Sequence, residues 1–208
     1  MKTAIAWLLI ILGTSACDGH AGEDRSGAVA RPATSGVAPT AHPVDSAIPI
    51  EEALRRFRQD LPAAKALSGG FGSRESLVRE FVRALEVRDT TALRRMVLTP
   101  GEFAWLYYPS SPLSRPPYEL SPGLMWFQLQ GESAKGASRL FSDRAGHDLG
   151  YAGHTCAPPR VEGKNRIHSS CELRRVTATR DTVRERLFGL ILERDGQYKF
   201  VSYANRLD

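Results

Sequence analysis

Apolar residues recur at three- and four-residue steps through the first half of the foldable chain, the spacing of one face of an α-helix. The clearest run is Leu77, Val78, Phe81 and Val82. Ser73, just before that run, is of a residue type that caps helix N-termini. The pattern therefore predicts a helix that begins after Ser73.

Four further helices are indicated by shorter signals. One covers Ile50 to Arg58, and a second follows Asp89 as its N-cap. A third is opened by Thr99-Pro100-Gly101-Glu102, which combines a capping box with proline in the first turn, and should continue through Tyr107. A fourth opens at Ser121-Pro122 and runs to about Phe141.

After Gly146 the pattern changes to β-branched and aromatic residues, which are typical of strands. The predicted strands cover residues 148–156, 165–178, 183–193 and 197–205. Asp195-Gly196, between the last two, is a dipeptide characteristic of tight hairpins. Helices followed by hairpin-linked strands predict an α+β domain with helices on one face of an antiparallel sheet of about four strands.

The N-terminus reads differently from the rest of the chain. Lys2 precedes a nine-residue apolar run, Ala4–Leu12, which is about half the length that a membrane-spanning helix needs. A positive start, a short apolar run and small residues before a cleavage site are the parts of a secretory signal. We expect residues 1–16 to be removed on export.

Thr14-Ser15-Ala16-Cys17 resembles the lipobox of bacterial lipoproteins, although Thr14 stands where leucine is usual. The resemblance implies that the Cys17 thiol carries a lipid and holds the exported domain at a membrane of the cell envelope. The alternative is an ordinary signal peptide with a chance cysteine near its end.

Residues 17–47 are rich in Gly, Ala, Ser, Thr and Pro and lack periodic apolar positions. Such a composition cannot bury enough apolar surface to fold, so a disordered tether is expected. Residues 48–72, a short helix and a Gly-rich linker, would join the tether to a domain at 73–208.

Composition and charge indicate an ordinary globular domain and argue against a nucleic-acid-binding arm. Of 208 residues, 42% are hydrophobic and 25% are charged, which is ordinary for a globular domain. The net charge of +5 is spread along the chain rather than gathered in one run, which argues against a nucleic-acid-binding arm.

Besides Cys17 the chain has two cysteines, Cys156 and Cys171, in two predicted strands. In an exported domain such a pair is expected to form a disulfide. The alternative is a pair of buried thiols in a reducing compartment. Neither cysteine has the surroundings that would make it catalytic.

No motif indicates a cofactor, a metal site or a catalytic residue. His147, His154 and His168 lie near the cysteines, but their spacing matches no zinc pattern. Five arginines alternate along the predicted strands. They indicate a solvated sheet face or, alternatively, a docking surface for an acidic partner, a lipid headgroup or a wall polymer; these arginines are Arg174, Arg175, Arg180, Arg184 and Arg186.

The helix pair over Ser73–Met96 and the closing hairpin resemble the NTF2-like superfamily, the cystatin-like cone fold. The resemblance covers residues 73–208 and implies helices packed on a curved sheet. In such a cone, several aromatic residues could line a ligand pocket. The simpler interpretation is that they form the core. These residues are Trp105, Tyr107, Tyr108, Trp126 and Phe127.

Two functional hypotheses follow from the sequence. The first is a non-catalytic module on a lipid anchor that binds a small apolar ligand or another envelope protein. The second is an enzyme of the isomerase or dehydratase type, as the resemblance to NTF2-like proteins allows. It requires an acid–base pair in the cone, and Asp148, His154 and Tyr203 are no more than guesses for that pair.

Overall fold

The computed structural model describes residues 48–204. They belong to one compact unit, Asp45–Asp208, and the other unit lies outside the described residues. The predicted signal at 1–16, the lipid site Cys17 and the tether at 17–47 also lie outside them and stay predictions. Across residues 48–204, no helix combines the length and the apolar character needed to cross a membrane.

The helices begin where the capping residues predict. Ser73, Asp89, Thr99 and Ser121 each accept a hydrogen bond from the backbone N–H three residues further on. The α-helices are α1 (Ile50–Arg58), α2 (Arg74–Glu86), α3 (Thr90–Met96), α4 (Pro100–Glu102) and α5 (Pro122–Asp143).

The helix predicted after Thr99 is less regular than its capping box suggests. After the three residues of α4, the backbone widens into a π-helix over Phe103–Tyr107. Two 3-10 turns follow, at Tyr108–Ser110 and Pro112–Ser114. This compact segment presents Phe103 and Tyr108 to the interior, where both are fully buried.

The described strands are all antiparallel and form two sheets. The strands are β1 (Tyr151–Thr155), β2 (Arg160–Glu162), β3 (Asn165–His168), β4 (Glu172–Val176), β5 (Thr182–Glu185), β6 (Ile191–Arg194) and β7 (Gln197–Phe200). The order in the three-stranded sheet is β1-β4-β5, and the order in the four-stranded sheet is β2-β3-β6-β7. The α+β class is confirmed.

The prediction of one sheet of about four strands is wrong, because two predicted strands each divide between the sheets. Residues 165–178 break at Ser170, whose φ of 49° ends β3 before β4 begins. Residues 183–193 become β5 and β6. The hairpin at Asp195-Gly196 is confirmed: both residues have positive φ, and Arg194 pairs with Gln197.

Cys156 and Cys171 form the predicted disulfide. Each cysteine lies one residue outside a strand, Cys156 after β1 and Cys171 before β4, and these two strands are neighbours in the three-stranded sheet. The bond therefore closes the segment through which the chain leaves one sheet, forms the β2–β3 hairpin of the other, and returns.

Two clusters of buried side chains hold the elements together. In the first, Phe81 of α2 contacts the rings of Phe188, Phe200 and Tyr203 at centroid distances of 5.3–5.7 Å. The second, which we call the α1 cluster, joins α1 and the π-helix to β3 and β6. Helix α5 contributes Leu140 to the first cluster and Met125 to the second.

Candidate functional site

Helix α5 forms one wall of a groove of about 550 Å³. Its Met125 and Leu129 face Cys171, Phe188 and Leu190 from the segments that lead into β4 and β6. A volume of this size, lined largely by apolar side chains, is ordinary for small-molecule sites, which span roughly 300–1,000 Å³. The groove can therefore accept an apolar ligand without rearrangement of the core.

A few polar groups share the lining of this groove. From α5 come Gln128 and Glu132, and across from them lies Arg186. Tyr107 is 5% exposed, and burial together with the nearby charge of Glu162 raises its pKa to about 12. Its hydroxyl therefore stays protonated at neutral pH and can donate a hydrogen bond.

The aromatic residues expected to line one pocket do not come together in the groove. Tyr107 lines the groove. Tyr108 is buried in the α1 cluster, where its hydroxyl donates to the Leu120 carbonyl at 2.7 Å, and Trp126 packs against Phe103 at 5.1 Å. Trp105 packs against the same cluster and is covered by the Arg58 guanidinium at 3.9 Å.

Phe127 differs from these residues, because 73% of its surface is exposed. It lies next to Trp126 on α5 but points away from the α1 cluster and does not line the groove.

A second candidate site is a chain of hydrogen bonds that we call the Arg74 network. The guanidinium of Arg74, at the start of α2, donates to His154 Nε2 at 3.0 Å and to His168 Nδ1 at 3.1 Å. His154 belongs to the three-stranded sheet and His168 to the four-stranded one. One side chain thus connects the two sheets.

Each histidine of the Arg74 network is backed by a glutamate. His154 Nδ1 lies 3.2 Å from Glu75 Oε2 and 3.0 Å from the Tyr151 hydroxyl. His168 Nε2 lies 2.8 Å from Glu193 Oε2. Because arginine only donates, the nitrogen facing Arg74 accepts, and the ring hydrogen of each neutral histidine sits on the nitrogen facing its glutamate.

The surroundings of His154 favour its neutral form. Its side chain is 3% exposed, and burial, followed by the charge of Arg74, lowers its pKa from the usual 6.5. The pKa of the neighbouring Tyr151 is raised to about 12 by burial and by Glu75. Both groups are therefore uncharged at neutral pH.

The other residues that sequence reasoning named lie apart from this network. His147 and Asp148 are exposed, and Asp148 accepts from the Gly150 backbone N–H. Tyr203 is buried among the rings around Phe81, and its hydroxyl donates to the Leu93 carbonyl at 2.7 Å. Within residues 48–204, no group of three or more His, Cys, Asp or Glu side chains could hold a metal ion.

Sequence reasoning did not identify the Arg74 network or the groove. Arg74 and Glu75 read only as the polar first turn of α2, and nothing in their spacing points to histidines about 80 residues later. The groove is lined by segments that connect strands. The hydrophobic pattern did not predict to which sheet those strands belong, so it could not predict the groove. The histidines themselves were considered only as a metal site, for which their spacing fits no zinc pattern, and His154 also as a guess for an acid–base pair.

Comparisons with known proteins do not suggest a function, so the functional proposal rests on the geometry of the structure. A scan against family models, a search of curated proteins and a search of solved structures each gave no match.

Proposed function

We propose that this protein is an envelope lipoprotein whose lipid anchor at Cys17 holds a non-catalytic binding module at a bacterial membrane. The observation that carries the binding role is the apolar groove of about 550 Å³ between α5 and the strands. Burial of an apolar ligand there would contribute roughly 25 cal/mol for each Å² removed from water. A small apolar molecule is the class of ligand that fits this lining.

The alternative, an NTF2-like enzyme of the isomerase or dehydratase type, requires an acid–base pair that faces the ligand. The ionisable side chains lining the groove are Glu132, Arg186 and Tyr107, and Tyr107 stays protonated at neutral pH. His154, the buried histidine with a lowered pKa, belongs to the Arg74 network and not to that lining. This separation favours binding over catalysis.

We also propose the NTF2-like arrangement for residues 73–208. Support comes from the order of elements, a helix pair followed by antiparallel strands that close on the Asp195-Gly196 hairpin. The packing of α2 on strand residues such as Phe200 is consistent with it. An experimental structure in which the two sheets do not curve around α2 would contradict this part of the proposal.

The lipid anchor has a direct test. Cells that express the full chain are given labelled palmitate, and the chain is expected to carry label that disappears in Cys17→Ser. Cys156→Ser is the control, because Cys156 is bonded to Cys171 and should not affect labelling. Label retained in Cys17→Ser would remove the anchor from the proposal.

The groove is tested on a soluble fragment, 45–208, with the fluorescent apolar probe N-phenyl-1-naphthylamine. Leu129→Trp adds volume inside the groove and should weaken probe binding at least tenfold. Leu124→Trp is the matched control, because Leu124 is 47% exposed on the same helix and does not line the groove. Equal probe affinities in the two variants would show that the groove is not the binding site.

A further inference from the structure

Two arginines face each other across the outer side of the three-stranded sheet. Arg174 of β4 and Arg184 of β5 are direct cross-strand partners, and both are exposed. Like charges in this position repel each other and destabilise a strand pair. An interaction that offsets this repulsion would therefore stabilise the strand pair.

Neighbouring arginines of the same sheet have that compensation. Arg175 forms an ion pair with Glu185 at 2.8 Å, and Arg186 forms one with Glu172 at 3.4 Å. Arg174 and Arg184 have no carboxylate partner among residues 48–204. The one hydrogen bond of the Arg174 guanidinium in that range goes to the Ala152 carbonyl at 2.8 Å, which fixes its position.

Both arginines line a cavity of about 160 Å³ at the edge strand β1, and His154 also belongs to its lining. That volume is below the roughly 300–1,000 Å³ that is usual for small-molecule sites. The bulged backbone of β1 contributes Gly153, whose φ of 130° and missing side chain leave space beside Arg174, and Thr155 adds a hydroxyl.

The acidic side chains in the same lining already have cationic partners. Glu75 is paired with Arg79 at 2.6 Å, and Glu172 is paired with Arg186. The charge left without a partner in the cavity is that of Arg174 and Arg184. An anion between the two guanidiniums would replace their repulsion with two charge-assisted hydrogen-bonded contacts.

We propose that Arg174 and Arg184 together bind one phosphate group. The planar fork of a guanidinium matches the oxygen spacing of phosphate, and a dianion neutralises both side chains at once. The cavity of about 160 Å³ is of a size suited to one such group. This site is separate from the apolar groove, and it does not depend on the ligand proposed for that groove.

The test is calorimetric titration of inorganic phosphate into the full chain in uncharged maltoside micelles, at fixed salt. Arg184→Gln should weaken phosphate binding at least tenfold. The matched control is Arg139→Gln, which removes one exposed arginine of α5 that has no ion pair within residues 48–204 and should leave the affinity unchanged.

Arg174→Gln should weaken phosphate binding as strongly as Arg184→Gln does. Arg174→Gln also removes the contact to the Ala152 carbonyl. If Arg174→Gln does not fold, Arg184→Gln alone decides the outcome. Absence of phosphate binding to the native chain, or equal affinity in Arg184→Gln and Arg139→Gln, overturns the proposal.

A second titration identifies the source of the phosphate group. Glycerophosphoglycerol, the soluble headgroup of phosphatidylglycerol, is compared with inorganic phosphate. The diester carries one negative charge, whereas the phosphate dianion carries two. Affinity for the diester that equals or exceeds the affinity for inorganic phosphate despite this lower charge, and that is lost in Arg184→Gln, identifies a lipid headgroup as the ligand of the site. Binding of inorganic phosphate alone identifies a soluble phosphate. Affinity for the diester that is unchanged in Arg184→Gln places its binding elsewhere and contradicts the site.

Discussion

Lys199 donates a hydrogen bond of 2.8 Å to Glu102 Oε2, and each of the two residues is only 1% exposed. Glu102 also accepts the backbone N–H of Thr99 and of Ser68, while the Lys199 ammonium donates to the Ser68 carbonyl. The ion pair therefore connects the last strand to α4 and to the loop before α2.

Loss of one partner of this pair should be costly, because the other charge would stay buried without compensation. Lys199→Met is expected to lower the free energy of unfolding by about 3–5 kcal/mol, measured by urea denaturation. Lys135→Met, at the exposed pair with Glu132, should cost less than about 1 kcal/mol. A Lys199→Met variant as stable as Lys135→Met would show that the buried pair contributes nothing.

The Arg74 network predicts a dependence of stability on pH. The pKa of His154 is lowered in the folded state from the ordinary 6.5, so the unfolded chain binds this proton more readily. The contribution of neutral His154 is therefore complete above pH 6.5 and is lost as the pH falls from there towards the lowered pKa. Urea denaturation across this range should show falling stability.

The control for this pH dependence is a histidine outside the network. His154→Gln should flatten the slope of stability against pH below 6.5, whereas His147→Gln, at an exposed position, should leave it unchanged. Identical slopes in native protein and His154→Gln would exclude His154 as the titrating group.

The disulfide should stabilise the fold mainly by restricting the unfolded chain. It joins cysteines 15 positions apart, which corresponds to about 3 kcal/mol in the chain-entropy model. The double variant Cys156→Ala/Cys171→Ala should lose stability of that order in urea denaturation. Cys17→Ser, outside the bonded pair, should lose none, and similar stabilities of the two proteins would contradict the model.

Two glycines of α5 should respond to alanine in opposite directions. A Cβ at Gly136 would lie 1.8 Å from the Tyr203 carbonyl oxygen, so Gly136→Ala must displace the helix from the strand end and should cost about 1–3 kcal/mol. A Cβ at Gly131 meets nothing within 4 Å in the described chain, and Gly131→Ala should gain up to about 1 kcal/mol from helix propensity. Thermal unfolding of both variants measures the difference, and a gain in both would mean that α5 does not approach Tyr203 closely.

The local parts of the fold could be predicted from the sequence, because their causes are local. Ser73, Asp89 and Thr99 act within one helical turn, and the hairpin at Asp195-Gly196 depends on two adjacent backbone conformations. The division into two sheets could not be predicted. Alternation of apolar residues places a side chain on a face, but it does not say to which sheet a strand belongs.

The candidate sites depend on contacts between distant residues, which periodicity does not report. The strand pattern indicated a charged face at Arg174 and Arg184, but only the register shows that they are direct partners. Likewise, Lys199 lies among residues that read as a strand, and nothing near it in sequence announces the carboxylate of Glu102, 97 positions away.

The covalent bond between Cys156 and Cys171 changes what cutting the backbone does to this molecule. The turn at Gly163-Lys164, between β2 and β3, lies inside the segment that the bond closes. A protease that cleaves there produces two polypeptides that remain one molecule until the bond is reduced. Cleavage at this turn therefore does not separate the two parts of the chain. Whatever is attached upstream of Cys156 stays joined to β6 and β7.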